Sequence, residues 1–223
     1  MYIATLFCAP EQRLDGTLVE SLRNAWGGGD VVWLAVDEAA EFTLTVMPDN
    51  RRDVWKSLQS EGVDLNVQPV AGRRKAMLLA DMDSTMIQQE CIDELAAEAS
   101  VGARVADITA RAMNGELDFE AAIDERVGLL AGLDAKIIDH VLATRITYMP
   151  GGAALLATMK ANGGHAALVS GGFTAFTAAV AAKLGFDENR ANTLEIVDGK
   201  LTGRVVRPIL GRQAKIDALE QIT

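Results

Sequence analysis

The run Ala76-Met77-Leu78-Leu79-Ala80 is apolar without alternation and passes directly into Asp81-Met82-Asp83-Ser84-Thr85. Such a run reads as a strand buried on both faces, the kind found in parallel sheets covered by helices. In open α/β sheets ligands sit at the carboxyl ends of the strands. Two carboxylates at i and i+2 therefore stand where a ligand would be. A second apolar run, at 166–169, ends in Ser170-Gly171-Gly172-Phe173. There the Ser170 hydroxyl and closely approaching backbone N–H groups can hold a phosphate where the next helix begins. Each feature alone has a plain structural reading: an acidic turn, a helix cap and, for Lys215, a solvated helix lysine. Their order along the chain is what points to phosphate chemistry.

Residues 1–70 follow a different pattern. A β-prone run at 2–7 precedes Leu18, Leu22 and Trp26, which share one helix face before Gly27-Gly28-Gly29. The pattern predicts strands at 31–36 and 42–46, a short helix around 54–58 and an alternating strand at 63–70. The order βαββαβ is the ferredoxin-like layout. Residues 71–75 read as a linker. Residues 89–147 carry no strand signal and read as four helices, near 89–99, 102–113, 118–131 and 134–144. After them come a helix at 153–161 and a helix that Thr174 can cap. A hairpin at 194–206, turned by Asp198-Gly199, and a helix from 213 to 222 complete the pattern. The second domain is thus an α/β core, 76–88 and 148–223, interrupted by a helical insertion at 89–147.

Net charge is −10, which argues against a nucleic-acid partner. The charge is uneven: residues 76–147 hold 5 basic and 14 acidic groups, whereas residues 148–223 hold 8 and 6. The last third is the region least hostile to an anion. Two cysteines, Cys8 and Cys91, lie far apart, too few for a disulfide scaffold or a zinc site and in keeping with a reducing cytoplasm. The N-terminus has no basic region ahead of its apolar stretch, so no signal peptide is read. No apolar run reaches the roughly 18 residues of a membrane span.

Asp81-x-Asp83-x-Thr85, then LVSGGF, then the helix lysine in GRQAKIDAL resemble the haloacid dehalogenase superfamily of aspartate-nucleophile phosphohydrolases. With DMDSTMIQQECIDELA, MNGELDF and ERVGLL added, the match narrows to the branch that hydrolyses O-phospho-L-serine, the last step of serine biosynthesis. The resemblance covers about residues 75–223. It implies a Rossmannoid parallel sheet with an inserted helical cap, and the βαββαβ unit is similar to the ACT-like extensions of some such enzymes. Asp81 matches the nucleophile that forms an aspartyl-phosphate and Asp83 the general acid/base. Ser170, Gly171 and Lys215 match the phosphate-binding residues. Glu90 and Arg126 match the substrate-binding positions, suited to the ammonium and carboxylate of a phosphorylated amino acid. Met113 and Phe119 match apolar residues lining the closed site. The implied cofactor is Mg²⁺, held in part by Asp81 and Asp83. The implied partner is a small-molecule substrate, with neither nucleic acid nor membrane, and a homodimer is left open.

Glu90 also has a plain reading as a first-turn helix acid, and Arg126 as part of a surface ion pair within Asp124-Glu125-Arg126. A related phosphatase or phosphotransferase, or a non-catalytic amino-acid sensor built on the βαββαβ unit, are the alternatives. The family's GDG-type loop, with its last metal-binding aspartate, is absent from the 223 residues. The expectation is therefore a longer natural protein, with these residues alone inactive and the 76–80 strand left with an open edge.

Overall fold

The computed structural model describes residues 1–9 and 11–222; Pro10 and Thr223, the last residue of the sequence, lie outside them. The chain divides into two compact units, Met1–Lys75 and Ala76–Thr223.

In the first unit, β1 (Tyr2–Cys8), α1 (Gly16–Ala25), β2 (Val32–Ala35), β3 (Ala39–Leu44), α2 (Arg51–Gln59) and β4 (Val63–Pro69) follow the predicted βαββαβ order. The sheet is antiparallel, in the order β2-β3-β1-β4. Strand β3 starts at Ala39, earlier than the pattern indicates. The chain reverses tightly there, with Asp37 left-handed at φ 59°. Asp15 caps α1 by accepting the Thr17 N–H at 2.8 Å. Val19 from α1 and Leu58 from α2 join Leu6, Phe42 and Leu44 of the sheet in one buried core. Helix periodicity and strand alternation here point to the same apolar interior, which is why the pattern was readable.

The second unit contains β5 (Met77–Ala80), α3 (Cys91–Glu98), α4 (Gly102–Met113), α5 (Phe119–Gly128) and α6 (Lys136–Thr144). It continues with α7 (Gly152–Ala161), β6 (His165–Phe173), α8 (Thr174–Leu184), β7 (Glu188–Asn192), β8 (Leu194–Val197), β9 (Lys200–Val205) and α9 (Arg212–Ile222). Strands β5, β6 and β7 form a parallel sheet in that order. Strand β6 has the buried-on-both-faces character: Ala166 and Leu168 join the main core, whereas Ala167 and Val169 meet Ala218 of α9. The same expectation for β5 needs correction. Only Ala80 is buried, and Met77, Leu78 and Leu79 are half-buried, because β5 pairs with β6 alone among the described residues.

Two further corrections concern the ends of elements. Thr174 does not cap α8; Phe173 holds that position, and the Thr174 hydroxyl donates to Thr193 Oγ1 at 3.3 Å. Strand β7 has no apolar run to announce it. Its polar side chains are satisfied laterally, as where Asn189 Oδ1 accepts the Thr177 hydroxyl at 2.9 Å. The β8–β9 hairpin turns through Asp198 at φ 50° and Gly199 at φ 74°. Two successive positive φ values are what a two-residue type I′ turn requires, so Asp-Gly was a reliable signal.

Candidate active site

Parallel pairing of β5 with β6 brings their carboxyl ends together, with Ala80 opposite Leu168. Asp81 and Asp83 follow the first strand, and Ser170-Gly171-Gly172 closes the second. A cavity of ≈ 160 Å³ lies between them, lined by Asp81, Asp83, Glu90, Ile92, Phe119, Ile123, Arg126 and residues 170–173. Its walls therefore come from the sheet ends and from the inserted helices.

Each carboxylate is held differently. Asp81 Oδ1 accepts the Met82 N–H at 2.8 Å, and Lys215 from α9 forms an ion pair with Oδ2. Asp83 Oδ1 accepts the Cys91 N–H at 3.2 Å. Burial pushes the Asp83 carboxyl up to about 6; hydrogen bonds from Cys91 oppose this, and the charges of Glu90 and Asp81 add to it. The same burial pushes the neighbouring Cys91 thiol far up, so it is no nucleophile at neutral pH.

Ser170 is buried, and its Oγ accepts the Gly172 N–H at 2.9 Å. Gly172 cannot carry a side chain without disturbance: a Cβ there would lie 2.7 Å from Asp83 Oδ2 and 3.2 Å from Ser170 Oγ. Gly171 is similarly confined, its missing Cβ 3.1 Å from the Phe119 ring. These glycines serve close approach rather than a special φ.

Helix α5 is capped by Asp118, which accepts the Ala121 N–H at 2.7 Å, and it buries Ala122, Ile123 and Val127. That packing directs Phe119 and Arg126 to the cavity. The surface-pair reading of Arg126 does not hold. Asp124 pairs with Arg207 and Glu125 with Arg111, and no ion pair among the described residues uses Arg126. Its Nε donates to Ala122 O at 3.1 Å, which leaves the rest of the guanidinium to the cavity. Burial lowers its pKa, with Asp93 and Glu90 acting in the opposite sense. Glu90 is not a first-turn acid: it is the N-cap of α3 and makes no capping bond. Its Oε1 instead accepts the Ser84 hydroxyl at 2.7 Å.

Met113 stands apart from this group. It ends α4 at 84 % exposure and is not part of the cavity wall, so its expected place in the lining is not met. Its position on α4, whose buried residues are Val105 and Ile108, turns it to solvent. Sequence reasoning overlooked Ile92 and Ile123, which no local signal marks, whereas the doubled glycine made the close approach at Gly172 visible.

Asp83 supports a direct stability test. Its raised pKa means that the fold holds the proton more tightly than the unfolded chain does. Its contribution is favourable below the ordinary value of 3.8 and is lost as pH rises through about 6. Asp83→Asn removes the charge and keeps an acceptor for Cys91 N–H. With EDTA present, the variant is expected to gain about 1–2 kcal/mol at pH 7.5, a few degrees of melting temperature, about half of that at pH 5 and almost nothing at pH 3. An equal gain at all three pH values would contradict the assigned ionisation.

A parallel sheet with an Asp-x-Asp turn and a Ser-Gly-Gly loop at adjacent strand ends, under a helical insertion, is the plan of one hydrolase class. Residues 78–223 match the haloacid dehalogenase-like hydrolase family, and the chain belongs to it. Among relatives, the phosphoserine phosphatase of Streptomyces coelicolor is 47 % identical over 162 residues, 72 % of this chain and 39 % of that protein. The phosphoserine phosphatase of Archaeoglobus fulgidus is 39 % identical over 188 residues, 82 % of this chain and 54 % of that protein. The chain thus spans about half or less of the length of these relatives. A family hydrolase from Salmonella enterica serovar Typhi superposes with a TM-score of 0.83 at 29 % identity, covering 99 % of this chain and 77 % of its own. A substrate-bound phosphoserine phosphatase superposes with a TM-score of 0.62 at 39 % identity, covering 67 % and 71 %.

Proposed function

We propose that the protein hydrolyses O-phospho-L-serine to L-serine and phosphate, the last step of serine biosynthesis. The observation that carries this is one cavity in which Asp81, Asp83 and Ser170 meet Glu90 and Arg126, a guanidinium in no ion pair among the described residues. The first three suit a phosphoryl group. A carboxylate and a fork-shaped cation suit the ammonium and carboxylate of an amino acid.

In this reading the Asp81 carboxylate attacks phosphorus. The bond to the serine oxygen breaks, and that oxygen takes the proton of Asp83. A water then attacks the aspartyl-phosphate, giving its proton to Asp83 and releasing phosphate and the free Asp81 carboxylate. A carboxyl pushed up to about 6 is suited to both transfers near neutral pH. Lys215 and the N–H groups of the Ser170–Gly172 loop offset the charge on the phosphoryl oxygens. Among the described residues no three His, Cys, Asp or Glu side chains converge as metal ligands. Two carboxylates facing a phosphate nevertheless fit Mg²⁺, which takes one or two carboxylates together with waters and phosphate oxygens. Asp81 and Asp83 would hold it, and when bound it supplies charge neutralisation between two anions.

Residues 89–147 act as a cap that selects the amino-acid end of the substrate, and Met113 joins it only if that cap moves. The βαββαβ unit is ACT-like. Free thiols at Cys8 and Cys91 are in keeping with a reducing cytoplasm. Among the described residues no helix is long and apolar enough to cross a membrane.

The test is phosphate release by the full-length protein with Mg²⁺ from L-phosphoserine and from phenyl phosphate. Strong preference for phosphoserine is expected, and equal rates would refute the assigned specificity. In the same assay Gly172→Ala is expected to lower kcat about 10²-fold, since a displacement of the order of 1 Å at a reacting group costs that much. A folded Gly172→Ala variant with normal kcat would show that Asp83 has no fixed position to lose.

A further inference from the structure

We propose that Asn192 is a positioning residue for phosphate, holding the Ser170–Gly172 loop and the approach to Lys215 in one fixed relation; this rests on the phosphatase reading above. Asn192 ends β7 and is 2 % exposed, one of few buried polar side chains in the chain. Its Nδ2 donates to Gly171 O at 2.8 Å and to Leu210 O at 3.1 Å. Its Oδ1 accepts the Leu210 N–H at 2.7 Å. Both amide protons and one acceptor site are thus committed to the backbone of two separate segments.

Those segments are the ones the phosphate needs. Holding the Gly171 carbonyl fixes the plane of the Gly171–Gly172 peptide, hence the direction of the Gly172 N–H that now meets Ser170 Oγ. Leu210 and Gly211 lead directly into α9, whose Lys215 reaches Asp81. Among the described residues no backbone hydrogen bond joins the two segments. The amide of Asn192 is therefore the polar link that sets hydroxyl, N–H groups and ammonium at one spacing. Aspartate has nearly the same shape and keeps an acceptor, but it has no protons for the two carbonyls. Alanine leaves three part-buried backbone groups without their partner.

The experiment compares Asn192→Asp and Asn192→Ala with wild type in binding of inorganic phosphate and in KM and kcat on phosphoserine and phenyl phosphate. Removing a group that orients a binding residue commonly costs ten- to a hundredfold. The expected result is a loss of about that size in phosphate affinity and in KM, the same for both substrates, because the linked groups face the phosphate, the part both substrates share. Unchanged phosphate affinity and KM, with kcat reduced only by the fraction of unfolded protein, would overturn the proposal. Should neither variant fold, the wild-type Asn192 side-chain amide resonances decide. They are expected to exchange slowly and to shift on phosphate saturation, and resonances indifferent to phosphate would overturn it. Wild-type protein that binds no phosphate would refute the underlying site reading, and this is seen before any variant is made.

Discussion

Asp81→Asn is expected to lower turnover of phosphoserine by on the order of 10⁴–10⁶-fold, the scale for losing a nucleophile. The amide oxygen can still accept the Met82 N–H at 2.8 Å, so the turn after β5 keeps its shape. What disappears is the anionic oxygen that, in the proposed mechanism, bonds to phosphorus. The ion pair with Lys215 is lost too, but both side chains are more than a third exposed, so the effect on stability is under about 1 kcal/mol. Melting within a few degrees of wild type, alongside near-complete loss of turnover, is the expected combination. Wild-type rates in this variant would remove Asp81 from the chemistry.

Arg126→Ala is expected to cost about 2–5 kcal/mol in kcat/KM for phosphoserine, because it leaves the substrate carboxylate without its charged partner. On phenyl phosphate the loss should be far smaller. Arg126→Lys should recover only part of the loss, since a point charge does not reproduce the planar fork. The basis is local packing: Ala122, Ile123 and Val127 fix α5, and Asp124 and Glu125 are engaged elsewhere. Equal losses on both substrates would assign Arg126 to the fold or to the phosphate.

The elements that were legible in the sequence are those whose local signal and tertiary role coincide. The alternation of 63–70 matches a strand with Val63 and Leu65 in the core, and Asp198-Gly199 matches the two positive φ values of that hairpin's turn. Asp81, Asp83 and Ser170 were found because each follows a strand end; Lys215 was found only through the order of these residues along the chain and the resemblance of GRQAKIDAL. Strand β7 was missed because its polar side chains meet partners on neighbouring elements, a property absent from its own residues. Asn192 was missed for the same reason: what it does depends on two carbonyls and an N–H distant in sequence. The freedom of Arg126 was also hidden, because the acids beside it in sequence are drawn away by Arg207 and Arg111. Strand β5 was overestimated in its burial alone: the open edge expected at 76–80 is present among the described residues and leaves Met77, Leu78 and Leu79 half-buried.

The central claim is a covalent bond between phosphorus and the Asp81 carboxylate, and it can be trapped chemically. Full-length protein turning over phosphoserine with Mg²⁺ would be quenched in acid and reduced with borohydride, which converts an aspartyl-phosphate into homoserine. Peptide mapping is predicted to find homoserine at position 81 and aspartate at position 83. Unmodified aspartate at position 81 in protein quenched during active turnover, or homoserine at position 83 instead, would contradict the account.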